Sequence, residues 1–392
     1  MTLWPFSPNW ESPYAETFSF MTEIIGTDSG KEQRRALRVA ARHSVDYSVL
    51  LTGDQTRTRR HFAVNQSDPL VFADEVRSGK LLNVAATSST TAVLSTTPTW
   101  LALAEHLVFQ ASDGERVVYD VASVAGATVT LSDDLDRTWP VGTRVFLGVP
   151  GRLIPQMVSS FRTNSVESSR VEYMVDPGSE VQPVAAAPQS FNGREVMTHR
   201  PNWTTPIEFE TNDPVVFVDP GMGVRSAFRW EDYIPEGRKA EHMVTTADDL
   251  NKTLGLFLRA RGRQGEFYQP TMVEDLPLME NVASGSRFWK TPGHGVGDAY
   301  ETDLVHRAFA LFLRNGETHF FSVVGLSKGG TLAPYTLIET VEAAPALITP
   351  ASVLMICWMP VVRFASDDLE IRWRTDGVAE IVINTLTLED LP

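Results

Sequence analysis

Ser7-Pro8-Asn9-Trp10-Glu11-Ser12-Pro13 returns at mid-chain as Arg200-Pro201-Asn202-Trp203-Thr204-Thr205-Pro206. Further matches follow each copy in the same order. Gly30-x-x-x-Arg34-x-Ala36-Leu37 answers Gly221-x-x-x-Arg225-x-Ala227-Phe228. Gly114-Glu115, Val121 and Val124 answer Gly316-Glu317, Val323 and Leu326. Phe161-x-x-x-x-Val166-Glu167 answers Phe364-x-x-x-x-Leu369-Glu370. No single match is strong; their shared order predicts a tandem duplication. A chain with two like halves can build a ring with twice the symmetry of its subunit count.

Working outward, the 392 residues fit two domains of ordinary size. The expected division is 1–175 and 201–392. Between them the Pro- and Ala-rich stretch 176–200, with Val184-Ala185-Ala186-Ala187-Pro188, reads as a linker. Each half is predicted to contain a small all-β unit, at 81–150 and 281–355, where short β-branched runs alternate with turn signals such as Ala125-Gly126 and Pro140-Val141-Gly142. Each half is expected to close with a strand pair, Val158–Phe161 with Val171–Val175 and Val361–Phe364 with Ile371–Arg374.

From Arg34 to Leu51, Leu37, Val39, Ala41, Val45, Tyr47, Val49 and Leu51 share one parity while Arg34, Arg38, Arg42, Ser44, Asp46 and Ser48 share the other. A period of two over this length predicts a long strand or hairpin with one wet face. In the second half a turn at Ile234-Pro235-Glu236-Gly237 is expected to join strand 224–230 to strand 238–245 as a hairpin. The best helix signal follows. Thr246-Ala247-Asp248-Asp249 has the form of a capping box, and Leu250, Leu254, Phe257 and Leu258 form an apolar stripe. Thr52 to His61 is its weaker counterpart. The predicted class is mainly β (α+β).

Net charge is −15, divided as −4 for residues 1–200 and −11 for residues 201–392. An acidic chain repels phosphates, which argues against sequence-specific nucleic acid binding and suits a wall past which a polyanion slides. Against this background, Lys31 to Arg60 holds eight basic and three acidic residues. That stretch reads either as a solvated strand face or as an interface for an acidic neighbour, such as the second half of the next subunit. Arg34, Arg38 and Arg42 of this stretch, with Arg225 and Arg229 of the second half, are the candidate interface residues. The one cysteine, Cys357, lies in a core-strand pattern and leaves no intrachain disulfide possible. The N-terminal residues do not read as a secretion signal and no run approaches the length of a membrane span, so a reducing, aqueous compartment is expected.

Motifs for chemistry are weak. Gly325-Leu326-Ser327-Lys328-Gly329 matches a nucleophile elbow, but the Gly330-Thr331-Leu332-Ala333-Pro334 that follows cannot open the helix such an elbow needs. His294, Asp298, Glu301, Asp303 and His306 cluster without the spacing of a zinc or calcium site. Asp133, Asp134 and Asp136 read as a solvated turn. No catalytic residue, cofactor or metal is assigned. A hydrolase using Ser327 or His294 is the weakest alternative, and a sugar-binding protein using Trp100, Trp139, Trp289 or Trp358 the stronger one.

The order of signals is Pro-Asn-Trp, a Gly-x-x-x-Arg hairpin, an aromatic and Pro segment, a β insertion ending at Trp139-Pro140-Val141-Gly142-Thr143, and strands from Val158 to Val175. In that order the chain resembles the minor tail, distal tail and tail-hub proteins of long-tailed phages and related gene transfer particles. The resemblance implies two tandem tail-tube-like β-sandwich domains, each with a long hairpin, a packed helix and an inserted β-barrel-like unit. It implies a structural role, with no enzymatic activity. The chain would form a trimeric ring of pseudo-six-fold symmetry, or a hexamer, joining tail tube to distal tip. Its partners would be other tail proteins, with phage DNA only in transit. It would be assembled in the host cytoplasm and reside in the virion.

Overall fold

The structure is a computed structural model that describes residues 2–389 apart from 28–30, 65–68, 155–156, 180–187, 212–214, 220, 230–233, 301–304 and 331–332. The fold is mainly β, 49% strand and 11% helix. In the first half the order is β1 (Thr2–Leu3), β2 (Tyr14–Ser19), β3 (Thr22–Gly26), β4 (Glu32–Ala36), β5 (Arg42–Thr52), α1 (Asp54–Val64) and β6 (Leu70–Lys80). The insertion follows as β7 (Thr91–Val93), β8 (His106–Gln110), β9 (Arg116–Ala125) and β10 (Thr128–Leu131). Then come β11 (Arg144–Leu153), β12 (Ser159–Phe161) and β13 (Val166–Val175).

After β14 (Ser190–Phe191), the second half gives β15 (Arg194–Val196), β16 (Glu208–Thr211), β17 (Val215–Val218), β18 (Ser226–Arg229) and β19 (Glu236–Val244). A composite helix is built from α2 (Ala247–Leu250), a π-turn (Asn251–Gly255) and α3 (Leu256–Ala260). Next are β20 (Phe267–Tyr268), β21 (Phe288–Pro292), α4 (Gly295–Tyr300), β22 (Ala308–Leu313), β23 (Thr318–Gly329) and β24 (Tyr335–Thr340). The chain closes with β25 (Val353–Trp358), β26 (Val361–Phe364), β27 (Asp368–Thr375) and β28 (Val378–Thr387).

The two halves repeat one set of pairings. β1 runs parallel to β6, and β15 parallel to β20. β5 lies between β2 and β13; β19 lies between β16 and β28. β12 is a hairpin partner of β13, and β27 of β28. In the insertions, β8 pairs β9 and β11, β9 pairs β10, and β10 pairs β7. The second insertion matches this with β22 to β23 and β25, β23 to β24, and β24 to β21. The recurring Pro-Asn-Trp is a turn stapled to the central strand. Asn9 N–H donates to Ser48 O at 2.6 Å, and Asn202 N–H to Glu241 O at 2.6 Å. Donor and acceptor shift together between the copies, Asn9 to Asn202 and Ser48 to Glu241. Each asparagine side chain also accepts the N–H two residues on, a turn that this short amide favours.

Where the halves differ, local chemistry gives the reason. β11 runs unbroken from the insertion into the central sheet with Pro150 inside it, whereas its counterpart is split into β25 and β26 at Met359-Pro360. The Thr246–Asp249 capping box is formed with both hydrogen bonds, Asp249 N–H to Thr246 Oγ1 at 3.1 Å and Thr246 N–H to Asp249 Oδ2 at 3.2 Å. The π-turn after it widens the helix locally, so Leu256 joins Leu254 and Phe257 in the core while Leu250 and Leu258 lie at its edge.

Several sequence expectations are corrected. Arg34 to Leu51 is two strands: β4 pairs only β3 among the described residues, and β5 begins at Arg42, after residues 37–41 turn away. The period of two holds within β5, where His43, Val45, Tyr47, Val49 and Leu51 are buried. β18 pairs β17 and β19 pairs β16 and β28, so residues 224–245 are not one hairpin. Hairpins 22–36 and 215–229 align by the same shift that takes Asn9 to Asn202, which matches Glu32, and not Arg34, to Arg225. Phe161 of β12 and Phe364 of β26 occupy different places in the pairing scheme. β26 pairs β20 and β28, so the closing pair of the second half is β27–β28. The stretch 176–200 already contains β14 and β15, and its residues 180–187 lie outside the described ones.

Candidate functional site

The halves join edge to edge. β2 of the first half pairs antiparallel with β27 of the second, from Tyr14 opposite Trp373 to Ser19 opposite Asp368. Alternation turns Tyr14, Glu16 and Phe18 inward against Trp373, Ile371 and Leu369, all buried. One core therefore runs from Trp4, Tyr47 and Tyr173 across the seam to Phe257, Ile371 and Ile383. Burying this shared apolar surface is the main force holding the halves in register.

A carboxylate sits at the centre of that core. Glu16 has no solvent exposure. It accepts Arg77 Nη1 at 2.7 Å and Trp373 Nε1 at 2.7 Å, with His43 Nε2 at 3.0 Å. Arg77 also donates to Asp74 at 2.5 Å. Burial alone would raise the Glu16 pKa; the charge of Arg77 and the hydrogen bond to His43 outweigh it and hold the carboxyl far below its ordinary range. The residue thus ties three elements of the first half to an indole of the second.

The β3–β4 hairpin adds a latch. Arg363 of the second half clasps Glu32 with two nitrogens, at 2.7 and 2.8 Å. Thr22 Oγ1 donates to Asp367 at 2.8 Å, and Phe20 packs on Phe257 with ring centroids 5.6 Å apart. Arg34 pairs with Glu266. Its acidic neighbour is therefore the second half of its own chain. Beside the seam lies an open cleft of about 870 Å³ lined by residues of both halves, among them His43, Arg77, Trp100, Leu254 and Trp373.

The other candidate arginines are not gathered at this seam. Arg38 and Arg42 lie between β4 and the start of β5, half-buried and exposed. Arg225 is exposed and pairs with Asp219 at 2.9 Å. Arg229 is placed by its strand, opposite Val215. Lys31 to Arg60 is not one basic face, since Arg59 turns inward to the buried Glu167 at 2.5 Å and pins α1 to β13.

The chemistry motifs resolve into structure. Ser327 stands inside β23 opposite Leu337, with no elbow and no following helix among the described residues. His294 bonds Gly329 O at 3.0 Å and Asp298 pairs with Lys328, while Glu301 and Asp303 lie outside the described residues. Asp136 accepts from Tyr119. Trp139 and Trp289 are core residues at 1% and 2% exposure, and Trp358 packs at the edge of the second insertion's core. Trp100 lines the cleft. Burial pushes the Cys357 thiol up to about 12.

One further buried group makes the second half pH-sensitive. His242 of β19 is 1% exposed, and a backbone contact with Arg200 does not offset that burial. Desolvation first, then His199 and Arg238, press its pKa down to about 3. A depressed folded-state pKa gives stability that is present above the unfolded value of 6.5 and lost as pH falls towards 3. Over that window the loss is expected at up to about 1.4 kcal/mol per pH unit, and His242→Leu should flatten it. Urea midpoints at pH 7 and pH 5 check this; equal slopes in both proteins would contradict it.

Comparison of the sequence with models of known protein families and with curated proteins finds no match.

Proposed function

We propose that the chain is a structural component of the tail tip of a long-tailed phage or related particle. In this reading it forms a ring that joins the tail tube to the distal tip and surrounds the path of the DNA. The observation that carries the reading is the edge-to-edge joining of two halves with one pairing scheme, so that a single chain supplies two like positions. Three chains would then present six like positions, a physical route from a six-fold tube to a three-fold tip. The insertions, each with its own core, would project from the ring to meet other tail proteins. The acidic balance of −15 suits a wall that does not retain DNA. The test is the solution mass of the purified chain: a closed species at three times 43.4 kDa, or six times for a plain hexamer, is expected. A monomer at every concentration would contradict it.

A further inference from the structure

We infer that the joint between chains copies the joint within the chain, with β12 of one copy pairing antiparallel with β16 of the next. This rests on the ring reading and names the surface that would close it.

The register fixes the correspondence. β5 matches β19 by the shift that takes Ser48 to Glu241. Ser48 lies opposite Arg170, and Glu241 opposite Val382. β13 therefore matches β28 by the shift that takes Arg170 to Val382. Ser159 lies opposite Ser169 as Ile371 lies opposite Ile381, which carries this second shift to β12 and β27. Transposing the seam by the two shifts sets Ile207 opposite Phe161, Glu208 opposite Ser160, Phe209 opposite Ser159, Glu210 opposite Val158 and Thr211 opposite Met157.

Within one chain both of these strands end a sheet among the described residues. β2 and β27 each have two strand neighbours, whereas β12 pairs only β13 and β16 only β19. Such edges carry free backbone donors and acceptors and template a further strand. Ile207, Phe209, Phe161 and Met157 are apolar where their seam counterparts Tyr14, Glu16, Trp373 and Leu369 are buried, while Thr211 and Ser159 stand for Phe18 and Ile371. Phe161 is 54% exposed and its counterpart Trp373 5%. Phe209, the counterpart of the buried Glu16, is exposed as well.

The latch has a free counterpart too. Each of the two hairpins is a two-stranded sheet of its own; β3–β4 reaches onto the second half, whereas β17–β18 exposes Val216, Phe217, Met222, Val224 and Phe228. An apolar hairpin of this kind marks an interaction surface. Charge does not select the partner, since Arg162 and Arg170 beside β12 pair with Glu11 and Asp46 of their own chain, and Glu208 of β16 with Lys239. A second copy of this chain brings the missing edge and the receiving surface for the hairpin together. A copy joined this way offers the same free edge in turn, so the contact is heterologous and closes into a ring when its rotation divides a full turn.

Cysteine pairs test the register. Directly opposite residues alternate between close and wider pairs along an antiparallel ladder, so two neighbouring pairs cover both kinds. Ile207→Cys with Phe161→Cys and Glu208→Cys with Ser160→Cys are oxidised mildly and run on non-reducing gels. The buried Cys357 stays silent. At least one pair is expected to give a covalent ladder, with neither single variants nor the crossed pairs (Ile207→Cys with Ser160→Cys, Glu208→Cys with Phe161→Cys) doing so. Rings without a ladder, or ladders from crossed pairs alone, would overturn the joint and leave the ring reading standing. A ladder without closed rings would uphold the joint and sink the ring. Neither rings nor ladder would defeat both.

Discussion

Replacing Glu16 with alanine is expected to cost about 3–5 kcal/mol of stability, the range for breaking a buried ion pair by removing one partner. The reason is the carboxylate's position as the shared acceptor for Arg77, His43 and Trp373, with no solvent to replace it. Asp74 remains to hold one side of Arg77, which sets the effect at the lower end of the range. The Trp373 indole N–H has no such second partner among the described residues. Urea unfolding measures the loss, and hydrogen exchange should localise it to Tyr14–Ser19 and Asp368–Thr375. A change below about 1 kcal/mol would show that apolar packing alone holds the halves. Acid should act in the same direction. A carboxyl held below its ordinary 4.5 contributes stability that is present above that value and lost as pH falls below it. The histidine loss thus comes first on acidification, and the seam's carboxylate second.

Trp139→Ala is expected to remove about 3–5 kcal/mol from the first insertion, the range for truncating a large core aromatic. Trp139 is 1% exposed, stands edge-on to Phe109 at 5.4 Å and donates Nε1–H to Tyr119 Oη at 3.1 Å. Because the insertion has a core separate from that of the seam, the loss should stay local. Amide exchange should quicken across β7–β10, while β5 and β13 keep their protection. Equal loss of protection in β5 would show that insertion and central sheet unfold as one unit.

Much of the secondary structure was legible in the sequence, and the pairing was not. The Asn9 and Asn202 repeat was visible as a repeat but not as a pair of turns, although an Asn side chain shapes its own next two residues. The capping box at Thr246 was legible because it is local. β7 to β10 and β21 to β24 fall inside the stretches 81–150 and 281–355 expected to be all-β units, since insertion strands alternate with clear turn signals. The parity of β5 was right, but residues 37–41 keep that parity while leaving the strand, so its start was hidden. β2 reads as an ordinary strand, and nothing local says that its partner β27 lies close to the other end of the chain. Arginine content pointed to Arg34, which does sit on the seam, and equally to Arg38 and Arg42, which do not. Glu16 was missed although a signal existed: it is an acidic residue on the apolar parity of Tyr14 and Phe18. The π-turn, which brings Leu256 into the core, depends on backbone hydrogen bonding that side-chain spacing does not encode.

The central claim is that the chain closes a ring by making the same joint twice, once between its own halves and once with the next copy. Class averages of the purified chain in negative stain test it most directly. The account predicts closed rings in which the number of like lobes is twice the number of chains given by the solution mass. Open filaments, two-fold face-to-face dimers or single particles without a ring at any concentration would contradict it.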